Sequence, residues 1–551
     1  MITFDDSPVS YWAVGILLFI STALLTAISS LKNNQPNFDW LIKFAISIQL
    51  LLLFYFRLPV IVFNESLNLD ENVFIVGAMT LAKSPIYWES VDGSTSGPFN
   101  FYIITAFCEI FKQPYDYISA RIIGILLLMG SFLFSFFALR ILFTAPTALL
   151  SLFPATSYLG LTRHWDFVNF SSEQLPIFLM SVMLYYFAKM YASKKSINKI
   201  DVFVYGFIAG GIIFTKLQAI PIAFCLTLSG YWLIYEKRKN DFLKNTIIFT
   251  ISGSITSLVL VLIGYYYHFL DKIWVFYFKN NLSYGRESRT IVQSIFISLR
   301  DPHNIFIRII FLLSVLLLFY YIFLKKQFKP STLSIMLILF TVSSILSVYK
   351  TGFVFHHYLL FLIFPSVFLF ALLLNEIFQS SKKILKIGIS ALATFYLLLQ
   401  THTLVFSNYF VSADKPQRPL SISKTGEQIL KYSNTHEPLV IWGGGEHGRL
   451  YLETKRTQGI RWSNSHWGMY SDSLQKNFQK EFIAELKAIP FPVFIDTHPT
   501  KNTFMTRDKL GYETIKELKE YIDLKYQLIG EFDEQRVFVH KEKLKAMNAT
   551  K

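Results

Sequence analysis

The chain has 551 residues, of which 53% are hydrophobic, 17% aromatic and only 16% charged, and its mean hydropathy is +0.41. So little charge does not cover a soluble protein of this length, and the net charge of +15 reads as Lys and Arg gathered in cytoplasmic loops rather than as a nucleic-acid surface. Only two cysteines occur, Cys108 and Cys225, both within apolar stretches, which excludes a disulfide framework and a zinc ribbon.

The acidic start, MITFDDSPVS, has no basic n-region and is not a secretory signal. Apolar runs then recur. About 20 such residues cross a hydrocarbon layer of ~30 Å, and twelve candidate spans can be marked: 11–31, 40–63, 118–140, 141–161, 174–192, 200–215, 217–236, 244–267, 305–325, 331–349, 354–375 and 385–403. The sixth and seventh are the weakest pair and are readable as one broken unit. The expected fold class is a polytopic α-helical membrane protein, with a transmembrane domain over 1–403 and an α/β domain over 404–551.

Charge sets the expected orientation. One set of connections carries Lys32, Arg140, Lys194, Lys195, Lys237, Arg238, Lys239, Lys325, Lys326, Lys382 and Lys383, while the alternating short loops are poor in basic residues. The first set is therefore cytoplasmic. This requires that 99–111, apolar but too short to cross, form an interfacial helix. The first loop, 64–116, and the tail from 404 then lie outside, as in a bacterial plasma-membrane protein facing its envelope.

That topology gathers polar residues on the outer face. The first loop supplies Asp70 and Glu71, and the second supplies Arg163, His164, Asp166 and Glu173. The break between the sixth and seventh spans supplies Lys216 and Gln218. The stretch YKTGFVFHHYLLF supplies Lys350, His356, His357 and Tyr358. Bland readings stand beside this one: acids in a helix's first turn for Asp70 and Glu71, a snorkelling side chain for Lys216, interfacial anchors for the two histidines, a solvated loop for Arg163. Taken together, a carboxylate can accept a proton from an acceptor hydroxyl or amine, and several cations at headgroup depth can hold a phosphate as charge develops on it. The set suits group transfer from a lipid-linked phosphate donor.

In the tail, PLVIWG, PVFIDT and RVFVH read as strands, and LQKNFQKEFIAELKAI and YETIKELKEYIDLKY as amphipathic helices. GGGEHG, residues 443–448, matches G-x-G-x-x-G. The acidic residue that a dinucleotide site needs some 20 positions on is missing, so it reads as a turn.

The first loop, LDENVFIVGAMTLAKSPIYWESVDGSTSGPFNFYIITAFCEIFKQPYDYISARI, resembles the first outer loop of the GT-C superfamily of glycosyltransferases. The nearest branches are the bacterial protein O-mannosyltransferases and lipid A aminoarabinose transferases. FSSEQLPIFL, GIIFTKLQAIPIAF and FVFHHYLLFLIFP are similar to later family segments and point to Glu173, to Lys216, and to His357 with Tyr358. The span 11–31 precedes the usual first core helix, and Asn100 stands where many relatives carry an apolar residue. The resemblance implies inverting transfer of a sugar from a polyprenyl-phosphate donor to a lipid, glycan or protein acceptor. It makes Asp70 the base or acceptor-orienting group, assisted by Glu71. Lys216, His357, His356, Tyr358 and Arg163 are expected around the donor phosphate, and Glu173, Asp166 and Gln218 around substrate. No cofactor is certain; a divalent cation, if bound, is expected at Asp70 and Glu71. The rival expectation is a polytopic transporter or lipid flippase, which would place ionisable groups near the bilayer midplane at broken helices.

Overall fold

The computed structural model describes residues 9–31, 39–162, 164–193, 197–237, 241–283, 289–301, 304–325, 331–352, 355–379, 420–444, 448–463, 472–499 and 506–549. The site residue Arg163, the last span at 385–403 and residues 445–447 of the expected GGGEHG turn lie outside the described residues.

Among the described residues nine helices are long and apolar enough to cross a bilayer: Val9–Ser29, Asp39–Val62, Tyr117–Leu142, Gln174–Ala192, Leu217–Lys237, Phe242–Tyr266, Ile305–Ile322, Thr332–Tyr349 and His356–Phe378. The chain is thus an integral multi-pass membrane protein, as its composition implies. The fourth and sixth expected spans are also helical, but shorter, at Ala145–Leu161 and Lys199–Ile212. The sixth and seventh are two helices. A turn carrying Thr215 and Lys216 separates them, and the next helix restarts through a 3₁₀ turn, Leu217–Ala219.

The chain divides into two compact units. The first comprises 1–62, 124–263 and 286–416. Lipid tails are as apolar as leucine, so its helices gain by close packing and not by hiding from lipid. Gly206 and Gly210, one helical turn apart, face Gly253 of the Phe242–Tyr266 helix. A Cβ at Gly210 would sit 1.9 Å from the Gly253 carbonyl oxygen, and one at Gly206 would sit 2.5 Å from the Phe249 oxygen. The additional N-terminal helix is tied to its neighbour by two reciprocal bonds. Tyr11 donates its hydroxyl to the Phe56 carbonyl (3.2 Å), and Tyr55 donates to the Tyr11 carbonyl (2.9 Å).

The second unit comprises 63–123, 264–285 and 417–551. Its first-loop part holds the helices Leu69–Leu81 and Pro98–Phe111, the latter at 14 residues bearing out a helix too short to cross. The tail builds a four-stranded sheet of order β1-β2-β4-β3, from β1 (Val440–Trp442), β2 (Val493–Asp496), β3 (Tyr526–Phe532) and β4 (Gln535–His540). β1 and β2 run parallel, and the other pairs are antiparallel. The three strands expected from sequence are β1, β2 and β4. β3 is an edge strand with mixed exposure, so its apolar alternation is weak. Trp442, Trp462, Phe478, Phe482, Phe494 and Phe538 form the core beneath the sheet. Loop and tail fold together: the Gln458 amide donates to Thr80 Oγ1 (3.2 Å), and the Asp92 amide donates to the Arg461 carbonyl (2.7 Å). Gly448, last of the glycine-rich segment, permits close approach, since a Cβ there would lie 2.6 Å from the Cβ of Asn72.

Candidate functional site

Glu173 precedes the Gln174–Ala192 helix, Lys216 precedes the span Leu217–Lys237, and His356 and His357 open the span His356–Phe378. These side chains meet in the first unit, so the N-terminal ends of three spans converge. The partial positive charge of helix N-termini favours anions there. At the far ends, Lys189 lies in the last turn of the first of these helices and Lys237 in that of the second, and Lys237 Nζ lies 5.2 Å from the centre of the Tyr191 ring.

The centre is an ion pair between Lys216 and Glu173, both buried. Lys216 Nζ also donates to Ser172 Oγ at 2.7 Å and lies 4.8 Å from the centre of the Tyr358 ring. His357 stands between two acids, with Nε2 4.0 Å from Glu173 Oε1 and Nδ1 3.7 Å from Asp166 Oδ1. His356 Nδ1 is 3.8 Å from Asp166 Oδ2, and its Nε2 is 2.8 Å from Asp301 Oδ2. The rings of His164 and His356 have centres 4.3 Å apart. The result is a continuous chain in which basic and acidic side chains alternate: Lys216, Glu173, His357, Asp166, His356 and Asp301. Burial pushes the carboxyls of Asp166 and Glu173 up, but their cationic partners outweigh it: His357, His164 and His356 hold Asp166 below the usual carboxylate range, and Lys216 and His357 do the same for Glu173.

Local structure holds the second loop in place. His164 caps a short helix, Trp165–Val168, its Nδ1 accepting from the Asp166 amide at 3.3 Å. The buried Arg57 donates to the Phe167 carbonyl at 2.7 Å. Gln174 donates to the Asn169 carbonyl (3.0 Å) and accepts from the Ser171 amide (3.2 Å).

Of the residues expected from sequence, the structure brings together Asp166, Glu173, Lys216, His356, His357 and Tyr358. Gln218 is turned aside, its Nε2 donating to the Ser347 carbonyl at 2.8 Å. Asp70 and Glu71 belong to the second unit, in the first turn of the Leu69–Leu81 helix. Asp70 is exposed, and its amide donates to the cap residue Asn68 Oδ1 at 2.9 Å. Glu71 is buried and held bidentately by Arg121, Nε to Oε1 at 2.9 Å and Nη2 to Oε2 at 2.6 Å. Arg121 also donates to the carbonyls of Phe63 and Glu65.

Sequence reasoning missed Asp301, Ser172 and the pairing of Glu71 with Arg121. Asp301 directly follows the helix Ile291–Arg300 as its C-cap, and the sequence around it, LRDPHN, has no periodicity to mark it; an acid directly before proline was the available signal. Among the described residues, His164, Asp166 and His356 place one donor atom each within 4.8 Å of one another. Two imidazoles and a carboxylate suit a divalent transition ion; neither Asp70 nor Glu71 belongs to this group.

No protein-family profile matches the sequence, and no curated protein matches it. Solved structures do. ArnT from Cupriavidus metallidurans bound to undecaprenyl phosphate aligns over 91% of this chain and 98% of its own, at 11% identity and a TM-score of 0.53. The apo state of the same protein aligns over 95% and 97%, at 12% identity and a TM-score of 0.51. The Archaeoglobus fulgidus oligosaccharyltransferase tethered with an acceptor peptide aligns over 95% of this chain and 73% of its own, at 10% identity and a TM-score of 0.45. The ArnT alignments run over nearly the whole of both chains, and the GT-C-like fold expected from the first loop is borne out.

Proposed function

We propose that this chain is a membrane glycosyltransferase that takes a sugar from a polyprenyl-phosphate donor and passes it, with inversion, to a lipid, glycan or protein acceptor on the outer face of the membrane. One observation carries the reading. In a chain folded like ArnT end to end, three span N-termini bring Lys216, His357 and His356 together with two carboxylates at one end of the bundle. The undecaprenyl phosphate in the ArnT structure is the kind of ligand such a cluster suits: a polyprenyl tail stays in hydrocarbon while the phosphate meets cations.

In this mechanism Lys216 and His357 neutralise the phosphate as the bond to the sugar breaks, so charge is stabilised where it develops. Glu173 and Asp166 keep both cations in place. Asp70 takes the acceptor's proton or orients the acceptor, while Glu71, committed to Arg121, fixes the helix that presents it. A divalent cation held by His164, Asp166 and His356 would supply further positive charge for a phosphate oxygen.

The test compares the envelope glycolipids and glycans of cells with the chain, without it, and with Asp70→Asn at equal membrane level, by mass spectrometry. One glycosylated species should depend on the chain, and Asp70→Asn should lower its formation about 10²–10⁴-fold, the usual worth of general base catalysis. Undiminished product in that variant overturns the role of Asp70. No chain-dependent product, together with lipid or solute movement in proteoliposomes, would favour the transporter reading instead.

A further inference from the structure

The helix Ile291–Arg300 is built the wrong way round for a water-facing helix. Its small polar residues Ser294 and Ser298 are fully buried, while Val292, Phe296 and Ile297 are 60%, 61% and 44% exposed. This orientation is held from three sides. Ser294 Oγ donates to the Gly352 carbonyl at 3.2 Å. Arg308, in the next span, donates to the carbonyls of Leu299 and Asp301 and so closes the C-terminal end. Thr290 and Gln293 form a reciprocal capping box at the N-terminal end. Ten residues do not cross a bilayer, yet the helix ends a few residues before the span Ile305–Ile322, so it is pinned at a membrane end of the bundle.

Cations stand at both ends of the exposed stripe. Arg289, Gln293, Phe296, Ile297 and Arg300 succeed one another at helical spacing and line one cleft of about 440 Å³. Apolar side chains between two guanidinium groups match an anionic glycerophospholipid, with an acyl chain along Phe296 and Ile297 and a phosphodiester in reach of arginine. We infer that Ile291–Arg300 is an interfacial helix that binds anionic phospholipid of the surrounding leaflet through Arg289 and Arg300. Arg300 directly precedes Asp301, whose Oδ2 lies 2.8 Å from His356 Nε2, so an occupied headgroup site would steady the end of the ion-pair chain. The lipid site itself does not depend on the proposed transfer reaction.

The experiment places full-length protein in nanodiscs of phosphatidylcholine alone, or of equal parts phosphatidylcholine and phosphatidylglycerol, and reads retained lipid by native mass spectrometry. Wild type should retain phosphatidylglycerol in preference. Each arginine near an anionic surface contributes about fivefold in partition, so Arg289→Gln with Arg300→Gln should lower that preference by roughly 25-fold. Phe296→Ser with Ile297→Ser should weaken retention of both lipids. Equal retention of the two lipids by wild type, or unchanged preference in the arginine variant, overturns the inference. Displacement of phosphatidylglycerol by undecaprenyl phosphate at the same arginines would assign the cleft to a prenyl phosphate and overturn it as well. A dimer mass lost in the Phe296/Ile297 variant would assign the stripe to a second copy, with the same consequence.

Discussion

Two buried ion pairs with opposite legibility meet at the residue scale. Glu71 was visible in sequence as half of an acidic pair, but its partner Arg121 lies 50 positions away in a segment that reads as the start of a span. Removing one member of a buried pair leaves an uncompensated charge, a loss of about 3–5 kcal/mol. Arg121→Met should therefore lower the melting temperature sharply in detergent, and Glu71→Met with Arg121→Met should recover most of the loss; a double variant as unstable as the single would reject the pairing. The Lys216–Glu173 pair makes a prediction in pH. The Glu173 carboxyl is held below its ordinary value, so the stability it contributes is complete above about pH 4.3, where the unfolded carboxylate titrates, and disappears as pH falls through the lower folded value. Glu173 by itself should thus leave the stability of wild type unchanged between pH 7 and about pH 5. Lys216→Met leaves the carboxylate buried with only His357 beside it, which raises its pKa, so relative to wild type the variant should gain melting temperature from pH 7 to pH 5. Melting curves of both proteins at the two pH values decide it.

At the scale of elements, long apolar runs were legible because a hydrocarbon layer demands them, whereas close contacts between helices were not. Lys199–Ile212 looked weak as a span because glycines dilute its apolar run, yet the spacing Gly206-x-x-x-Gly210 is what lets it lie against Gly253. A small-residue stripe signals packing rather than burial, and hydropathy does not register it. The obstructing atom at Gly210 is a backbone oxygen, which has no rotamer to yield. Gly210→Val should force the helices apart, with a cost of about 1–3 kcal/mol or more. Gly253→Ala, whose Cβ would be 3.2 Å from the Gly206 oxygen, should be milder. Equal melting temperatures for the two variants in the same detergent would show that the contact is not tight. The edge strand β3 was missed for a related reason: with one side open, half its positions need no apolar residue.

For the whole molecule, charge distribution and helix polarity make independent statements about which way the chain sits. Lys and Arg alternate between connections, which assigns one set to the cytoplasm. The structure adds that Lys216 and His357, from two separate connections, both approach Glu173 of a third, while Lys189 and Lys237 close the opposite ends of two of the same spans. Counting crossings puts these three residues, far apart in chain order, on one face, and the structure brings them together. Asp301 was overlooked because its neighbours gave no pattern to count, although it belongs to the same end. If the basic ends face the cytoplasm, the ion-pair chain opens outward. Trp165 is exposed beside it, and Lys237 is exposed a full span away. In a background with the half-buried Cys225 replaced by serine, Trp165→Cys should react with a membrane-impermeant maleimide in intact spheroplasts, and Lys237→Cys only after lysis. The reverse pattern would place the cluster at the cytosolic surface, where a donor displayed on the outer leaflet does not reach it, and the proposed transfer at the outer face would fall with it.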